Sequence, residues 1–379
     1  VNHNKESGKL KEHRIEVFLA RIFLAILSVL ITFVVLEAVS RRFLTTRSQI
    51  EQSFPATDEM RHAKPYVMFS ALSKQNTFNA FGYRGAMATM PKPRDEYRVF
   101  MLGGSTVLLG NPTISTLLEM EFKKSGHPNV KVYNCGVLSS VSGMELVRIL
   151  YEFADLDPDL VIMFNGGNDI IVPWESDPRP GYPFNFVVVE NNPLFEKPVQ
   201  DYPAFRLFAF GSNLCRYFLH DYFMENFFHL NRIRRQTGWK SDPWREKIAG
   251  AYVSNLVKSA KVSSAFGADF IVFFQPTIFF KHPLNPREES YLQNPDKVEQ
   301  GNYVRDMRTR ILARLENASK TTTLNWVDST HIYDGLHQKI FSDAIHTSPA
   351  GRNAVAHAMH QHISNLFAQR LAASSKNIK

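Results

Sequence analysis

From residue 97 onward the chain alternates two hydrophobic rhythms, and that alternation restricts the folds open to it more than any other feature. Short apolar runs occupy residues 99–102, 130–133, 160–164, 270–274 and 324–327. Those at 99–102, 160–164 and 270–274 hold no polar residue at all, as strands buried on both faces do. Between and after the runs, apolar residues recur at helical spacing over 113–124, 143–153, 245–266, 303–319 and 350–371. Strand and helix in this alternation predict the α/β class, a three-layer α/β/α sandwich around a central parallel sheet. Such sheets bind ligands in a crevice outside the carboxyl ends of their strands. Chemistry is therefore expected where the apolar runs end.

The run at 99–102 ends in Gly103-Gly104 and a hydroxyl, Ser105. The run at 160–164 ends in Asn165-Gly166-Gly167-Asn168-Asp169. Far downstream, Asp343 and His346 lie three residues apart. A serine hydroxyl is a weak nucleophile and needs a base within hydrogen-bond reach. An imidazole can take that proton near neutral pH, and a carboxylate can fix its tautomer. Ser348-Pro349 has the chemistry of an N-cap followed by a first helical residue, which sets His346 just before a helix. Taken singly, a serine after two glycines is a turn residue and an Asp-x-x-His is a solvated helix entry. Taken in order, they supply the nucleophile, base, carboxylate and amide donor of an acyl-transfer site.

Together these segments resemble the SGNH/GDSL hydrolase superfamily. Its blocks match, in order, Gly103-Gly104-Ser105, Asn134-Cys135-Gly136, Gly166-Gly167-Asn168-Asp169 and the pair Asp343 and His346, across residues 97–370. The first block has Gly-Gly-Ser where the family pattern is Gly-Asp-Ser, a variation of its membrane-anchored members. The resemblance implies a flavodoxin-like sheet and a Ser105–His346–Asp343 triad. It implies an oxyanion hole made by the backbone N–H groups of Ser105 and Gly136 and the side-chain amide of Asn168. Asp169 is expected to brace its loop, and no cofactor or metal is implied. The activity implied is a serine esterase that removes O-acyl groups, acetyl first, from an acylated carbohydrate or lipid, with envelope or exported carbohydrate the favoured substrate. Two other readings stay open. One is an O-acyltransferase acylating a polysaccharide through the same site. The other is a non-catalytic glycan-binding or assembly subunit with a membrane-protein partner in a polysaccharide pathway. The acid and histidine follow the serine, which is the hydrolase order.

Several classes are disfavoured. There is no G-x-S-x-G elbow, no Gly-Lys after the Gly-Gly-Ser-Thr turn and no G-x-G-x-x-G after any strand. The net charge of +8 is spread along the chain without a basic run, which disfavours nucleic acid and fits a membrane surface or an anionic glycan. Of the two cysteines, Cys135 ends a core strand, and a buried thiol is expected there over a disulfide to Cys215. His357, His360 and His362 share one helix without a carboxylate at a ligand spacing, so a surface or packed helix is expected over a metal site.

The remaining organisation is read from the amino-terminal side. Residues 22–39 are apolar apart from Glu37, and with residues 15–20 they are long enough for a hydrocarbon core of about 30 Å. Ala38-Val39-Ser40 is a poor cleavage site and Arg41-Arg42 follow it, so an uncleaved anchor is expected. The division is a cytoplasmic tail at 1–14, an anchor at 15–39, a stalk and lead-in at 40–95, and a hydrolase-like domain at 96–372. The domain is expected on the periplasmic side of a bacterial inner membrane. Glu37 has Arg41 one turn on as a pairing partner, and a solvated interfacial glutamate is expected over that pair. Within the lead-in, Asn79-Ala80-Phe81-Gly82-Tyr83-Arg84-Gly85 is expected to pack. An insertion at 171–244 is rich in aromatic residues, for which packing is expected ring by ring while a part in substrate selection stays open. Residues 281–298 are expected to form a polar loop.

Overall fold

The computed structural model describes residues 2–44, 62–71, 73, 77–184, 186–190, 211–219, 222, 225 and 229–376. They fall into two units, Phe54–Val187 with Leu230–Lys379, and Val1–Ser53 with Val188–His229.

The larger unit opens with a short antiparallel pair, β1 (His62–Lys64) and β2 (Met68–Ser70). The five apolar runs then become β3 (Tyr97–Gly103), β4 (Val130–Gly136), β5 (Leu160–Asn165), β6 (Asp269–Phe274) and β7 (Asn325–Asp328). All pair in parallel, in the order β4-β3-β5-β6-β7. Val99, Met101, Leu102, Val161, Ile162, Met163 and Val272 are completely buried, which explains the runs without a polar residue. Each side chain so buried contributes about 1.5–3 kcal/mol.

The helices follow from caps and stripes together. Ser105–Leu108 is a single turn, α2. Thr113 caps α3 (Ile114–Lys124) by accepting the N–H of Thr116 at 3.2 Å. α4 spans Ser142–Arg148, α5 Gly167–Glu175 and α7 Leu230–Thr237. Ser241 caps α8 (Asp242–Ala265), with Pro243 in its first turn. α10 spans Pro295–Ser319 and α11 Pro349–Lys376. α3 packs on α11, whereas α8 packs on α4, α10 and β6. Right-handed crossovers account for this. The chain steps from β3 to β4 in one direction, then through β5, β6 and β7 in the other, so its helices cover both faces. The reversal opens a crevice at the carboxyl ends of β3 and β5. Gly103 pairs with Phe164 there, so the loops leaving both strands start side by side.

Residues 281–298 are not the expected loop. They contain α9 (Pro286–Leu292) and the first turn of α10. Asn285 and Glu288 form a reciprocal capping box around Pro286, and Asn294 caps the helix that starts at Pro295. Helix entry chemistry decides this segment, in which an apolar stripe is missing.

Of the insertion, Trp174 stacks on Tyr303 at 4.6 Å, and buried Trp244 lies 5.5 Å from the same ring. The indole N–H of Trp244 donates to the carbonyl of Pro178 at 2.6 Å. Phe205, Phe208, Phe210, Phe223, Phe227 and Phe228, singled out in the sequence, lie outside the described residues. So do residues 45–61 of the stalk.

The smaller unit holds α1 (Asn2–Phe43), whose His13–Phe43 portion is long and apolar enough to cross a membrane. It also holds α6 (Asn213–Phe218). Glu37 is not the solvated glutamate expected from the sequence. Its carboxylate accepts Nε of Arg41 at 2.9 Å, Oγ of Ser212 at 2.8 Å, and the N–H groups of Asn213 at 2.7 Å and Leu214 at 3.2 Å. The first N–H groups of a helix have no intrahelical partner, and Glu37 supplies one from another element. Beyond this contact Phe218 and Tyr222 are exposed.

Candidate active site

β3 delivers Gly103 to the crevice, Gly104 caps the next turn, and Ser105 opens α2 with only 7% of its surface exposed. Its Oγ lies 2.6 Å from Nε2 of His346. Nδ1 of that imidazole lies 2.7 Å from Oδ2 of Asp343. If Nδ1 carries the proton that Asp343 accepts, Nε2 is left as acceptor for the serine hydroxyl. The other oxygen of Asp343 accepts the N–H groups of Ile345 and His346, each at 2.9 Å. Burial acts to raise the Asp343 carboxyl, and the hydrogen bonds from His346 and Ile345 outweigh it, holding the group below its ordinary value.

The loop carrying Asp343 and His346 is tied at both ends. Ser342 N–H donates to the carbonyl of His346 at 2.9 Å, and Ser348 N–H to that of Ile340 at 2.7 Å. Ser348 also accepts the N–H of Gly351 through Oγ at 3.3 Å, so the predicted cap forms at the start of α11. Beneath the loop, Oε1 of Glu288 accepts the N–H groups of Ile340 and Phe341, both at 2.8 Å. Sequence reasoning missed Glu288. Its one legible signal was the Asn-Pro-x-Glu capping box.

The three expected oxyanion donors are placed differently. Ser105 is the first residue of α2, where helix N–H groups lack intrahelical acceptors. The amide of Asn168 lies against the backbone before Ser105, and its Nδ2 donates to the carbonyl of Ser140 at 2.8 Å. A Cβ at Gly104 would stand 2.4 Å from that nitrogen, so a glycine at this position is what lets the amide approach. The N–H of Gly136 donates to Oδ1 of Asn134 at 3.1 Å.

Asp169 points away from the serine. It accepts the N–H of Ser142 at 3.1 Å and its Oγ at 2.5 Å, fixing the start of α4, and burial pushes its carboxyl up to about 6. Deeper still, burial and then the charge of Asp169 push Glu145 up to about 8. Asn165 donates to Glu145 at 2.5 Å and accepts the hydroxyl of Tyr252 at 2.8 Å. Cys135 is a buried free thiol. Burial, and next the charge of Glu152, push that thiol up. His357 and His360 engage Glu121 and Ser125 at 3.2 and 2.9 Å, and no metal-ligating cluster occurs among the described residues.

No protein-family model and no curated protein matches the chain. Among solved structures it is similar to a GDSL-like lipase from Bacteroides thetaiotaomicron VPI-5482, with 14% identity over 74% of this chain and 93% of that one, at a TM-score of 0.39. It is similar to a putative acylhydrolase from Bacteroides fragilis NCTC 9343, with 17% identity over 74% and 92%, at 0.35. A variant of an acetyl xylan esterase from Geobacillus stearothermophilus matches with 12% identity over 70% and 94%, at 0.40.

Proposed function

We propose that the chain is a serine esterase of the SGNH type, acting on O-acyl esters of carbohydrate. The observation that carries this reading is the unbroken line of hydrogen bonds from Ser105 through His346 to Asp343 at the reversal point of the sheet. His346 Nε2 takes the hydroxyl proton as Oγ of Ser105 bonds to the ester carbonyl carbon. The negative charge that develops on the carbonyl oxygen is received by the N–H of Ser105 and the amide of Asn168. The N–H of Gly136 is held by Asn134 in this geometry. The tetrahedral species collapses, the C–O bond to the sugar breaks, and the sugar oxygen leaves with the proton from His346. Water then attacks the acyl-serine as it gives a proton to His346, the bond from the acyl carbon to Oγ breaks, and His346 returns that proton to Oγ, freeing the acid and Ser105.

The cleft shared by Ser105 and His346 holds about 200 Å³. That is below the ~300–1,000 Å³ of sites for drug-sized ligands, which favours a short acyl group such as acetyl. The length and apolar composition of α1 are those of a membrane span, and the proposal takes it as an uncleaved anchor with the unit that carries Ser105 on the outer side of an inner membrane.

The test is hydrolysis of 4-nitrophenyl acetate, butyrate and octanoate by the full chain in detergent, beside Ser105→Ala and His346→Ala. Turnover that falls with acyl length and vanishes in both variants is expected. Turnover unaffected by Ser105→Ala would sink the proposal. Acyl transfer to an added sugar in preference to water would replace hydrolase by acyltransferase.

A further inference from the structure

Two arginines hold the loop that follows Ser105, and neither has an acidic partner among the described residues. Arg84 donates through NH1 to the carbonyls of Leu108 at 3.2 Å and Gly110 at 2.7 Å. Arg352 donates through Nε to Pro112 at 3.0 Å and through NH1 to Thr347 at 2.9 Å. Gly110 has φ +110°, and a Cβ there would stand 2.6 Å from Nε of Arg352, so the guanidinium lies directly on the loop. Arg352 lines the same cleft as Ser105 and His346. Arg84 lies in the wall of an adjoining groove of about 580 Å³, with Asn111 and Pro112. The acids of that groove are engaged elsewhere, Glu119 with Lys131 at 3.2 Å and Glu96 with Arg98 at 2.6 Å.

The lead-in segment builds this arrangement. Oδ1 of Asn79 accepts the N–H groups of Phe81 at 3.0 Å and Tyr83 at 3.1 Å, closing a tight turn. Tyr83 is buried and its hydroxyl donates to Glu152, which also holds Lys64. Arg84, the next residue, pairs through its backbone with Asn134 at the end of β4. Arg352 is fixed by the first turn of α11, its N–H donating to the carbonyl of Ser348 at 3.0 Å. Burial, and next the charge of Arg84, hold the Arg352 guanidinium below its ordinary value. Two like charges gathered on the loop that follows a nucleophile, with no ion pair to either among the described residues, are at an electrostatic disadvantage that a bound anion reduces.

We propose that Arg352, backed by Arg84, forms a subsite for an anionic oxygen group, carboxylate or phosphate, carried by the sugar beside the ester that Ser105 attacks. The proposal rests on the esterase reading of the Ser105 site and narrows its substrate to an acylated acidic glycan. A guanidinium fork matches both groups in shape and charge.

The test compares three substrates with the full chain in detergent, at low and high ionic strength. They are an O-acetylated methyl galacturonoside, its neutral methyl ester, and an O-acetylated sugar phosphate. The enzyme should prefer one of the anionic esters over the neutral one by about tenfold or more in kcat/KM, through KM, as a charge-assisted contact does. That preference should shrink in high salt. In Arg352→Gln and Arg84→Gln the ratio should fall toward one, while Arg352→Lys keeps part of it. Which anionic ester is preferred identifies the group. Equal kcat/KM for neutral and anionic esters would overturn the subsite while leaving the esterase standing. If no ester turns over, the esterase reading fails, and calorimetric titration with methyl galacturonoside, its methyl ester and the sugar phosphate decides the subsite alone. Tighter, salt-sensitive binding of an anion supports it, and equal binding refutes it. Should the glutamine variants not fold, the salt dependence of the unaltered chain gives the answer.

Discussion

The carboxylate of Glu288 meets Nζ of Lys281 at 2.8 Å with neither side chain exposed, and the same carboxylate tethers the loop that presents His346. Oε2 accepts Lys281 and the N–H of Asn285, while Oε1 accepts Ile340 and Phe341. Burial acts to raise this carboxyl, but Lys281 and the three backbone N–H groups hold it below its ordinary value. A single group thus joins helix capping, a buried charge pair and the placement of the base.

Glu288→Ala strands the buried ammonium of Lys281. The loss expected is about 3–5 kcal/mol, the cost of breaking a buried pair from one side. Replacing both partners, as Lys281→Met with Glu288→Leu, should recover the part of that loss due to the stranded charge, but neither the rest nor kcat, because Asn285, Ile340 and Phe341 still lack their acceptor. Denaturant melts and kinetics on the three proteins check this. Full recovery of kcat in the double variant would refute the tether.

Gly104→Ala places a methyl group where the Asn168 amide now lies, 2.4 Å away in the present geometry. The expected drop in kcat is about 100- to 1,000-fold, the usual effect of losing one oxyanion donor. Asn168→Ala should give a similar drop. Combining them should cost little more, since both act on one donor. Additive losses would show that the two positions act separately.

Glu145 and Asp169 make stability fall as pH rises. Glu145 has a folded value of about 8 against an ordinary 4.5, so between those limits the folded state keeps a proton that the unfolded state has lost. Raising the pH through that window costs the fold on the order of 1.4 kcal/mol per unit while the difference lasts. Asp169, with a folded value of about 6, acts in the same sense below that pH. Melting curves from acid to mildly alkaline pH should be flatter for Glu145→Gln than for the unaltered chain. An unchanged slope would remove Glu145 as the source.

Glu37→Ala should release the first turn of α6. Losing a helix cap costs typically about 1 kcal/mol, or roughly fivefold in local opening. Amide exchange at Asn213 and Leu214, measured in detergent, should speed up accordingly, whereas exchange in β3 and β5 should not change. Equal rates at Leu214 would refute the capping role of Glu37, which accepts that N–H at 3.2 Å.

Much of the fold was legible because strand and helix signals are local. Apolar runs at 99–102 and 160–164 announce strands buried on both faces, whatever lies beyond them. The segment at 281–298 misled for the converse reason: its helices start from Asn-Pro caps and one buried glutamate, and periodicity does not register either. Arg84 was legible only as part of a packing motif, since nothing near it in sequence reveals that it meets the loop after Ser105.

The sequence by itself determined the alternation of strand and helix, the apolar span of α1, and the residue types from which a serine, imidazole and carboxylate site is made. Tertiary structure alone decided which of them meet. Ser105 and His346 are 241 residues apart and come within 2.6 Å because the chain reverses direction across the sheet and because Glu288 pins the returning loop. Local patterns record which face of an element is buried. Contacts between distant elements depend on the summed geometry of every turn and crossover between them, and no short stretch of chain carries that sum.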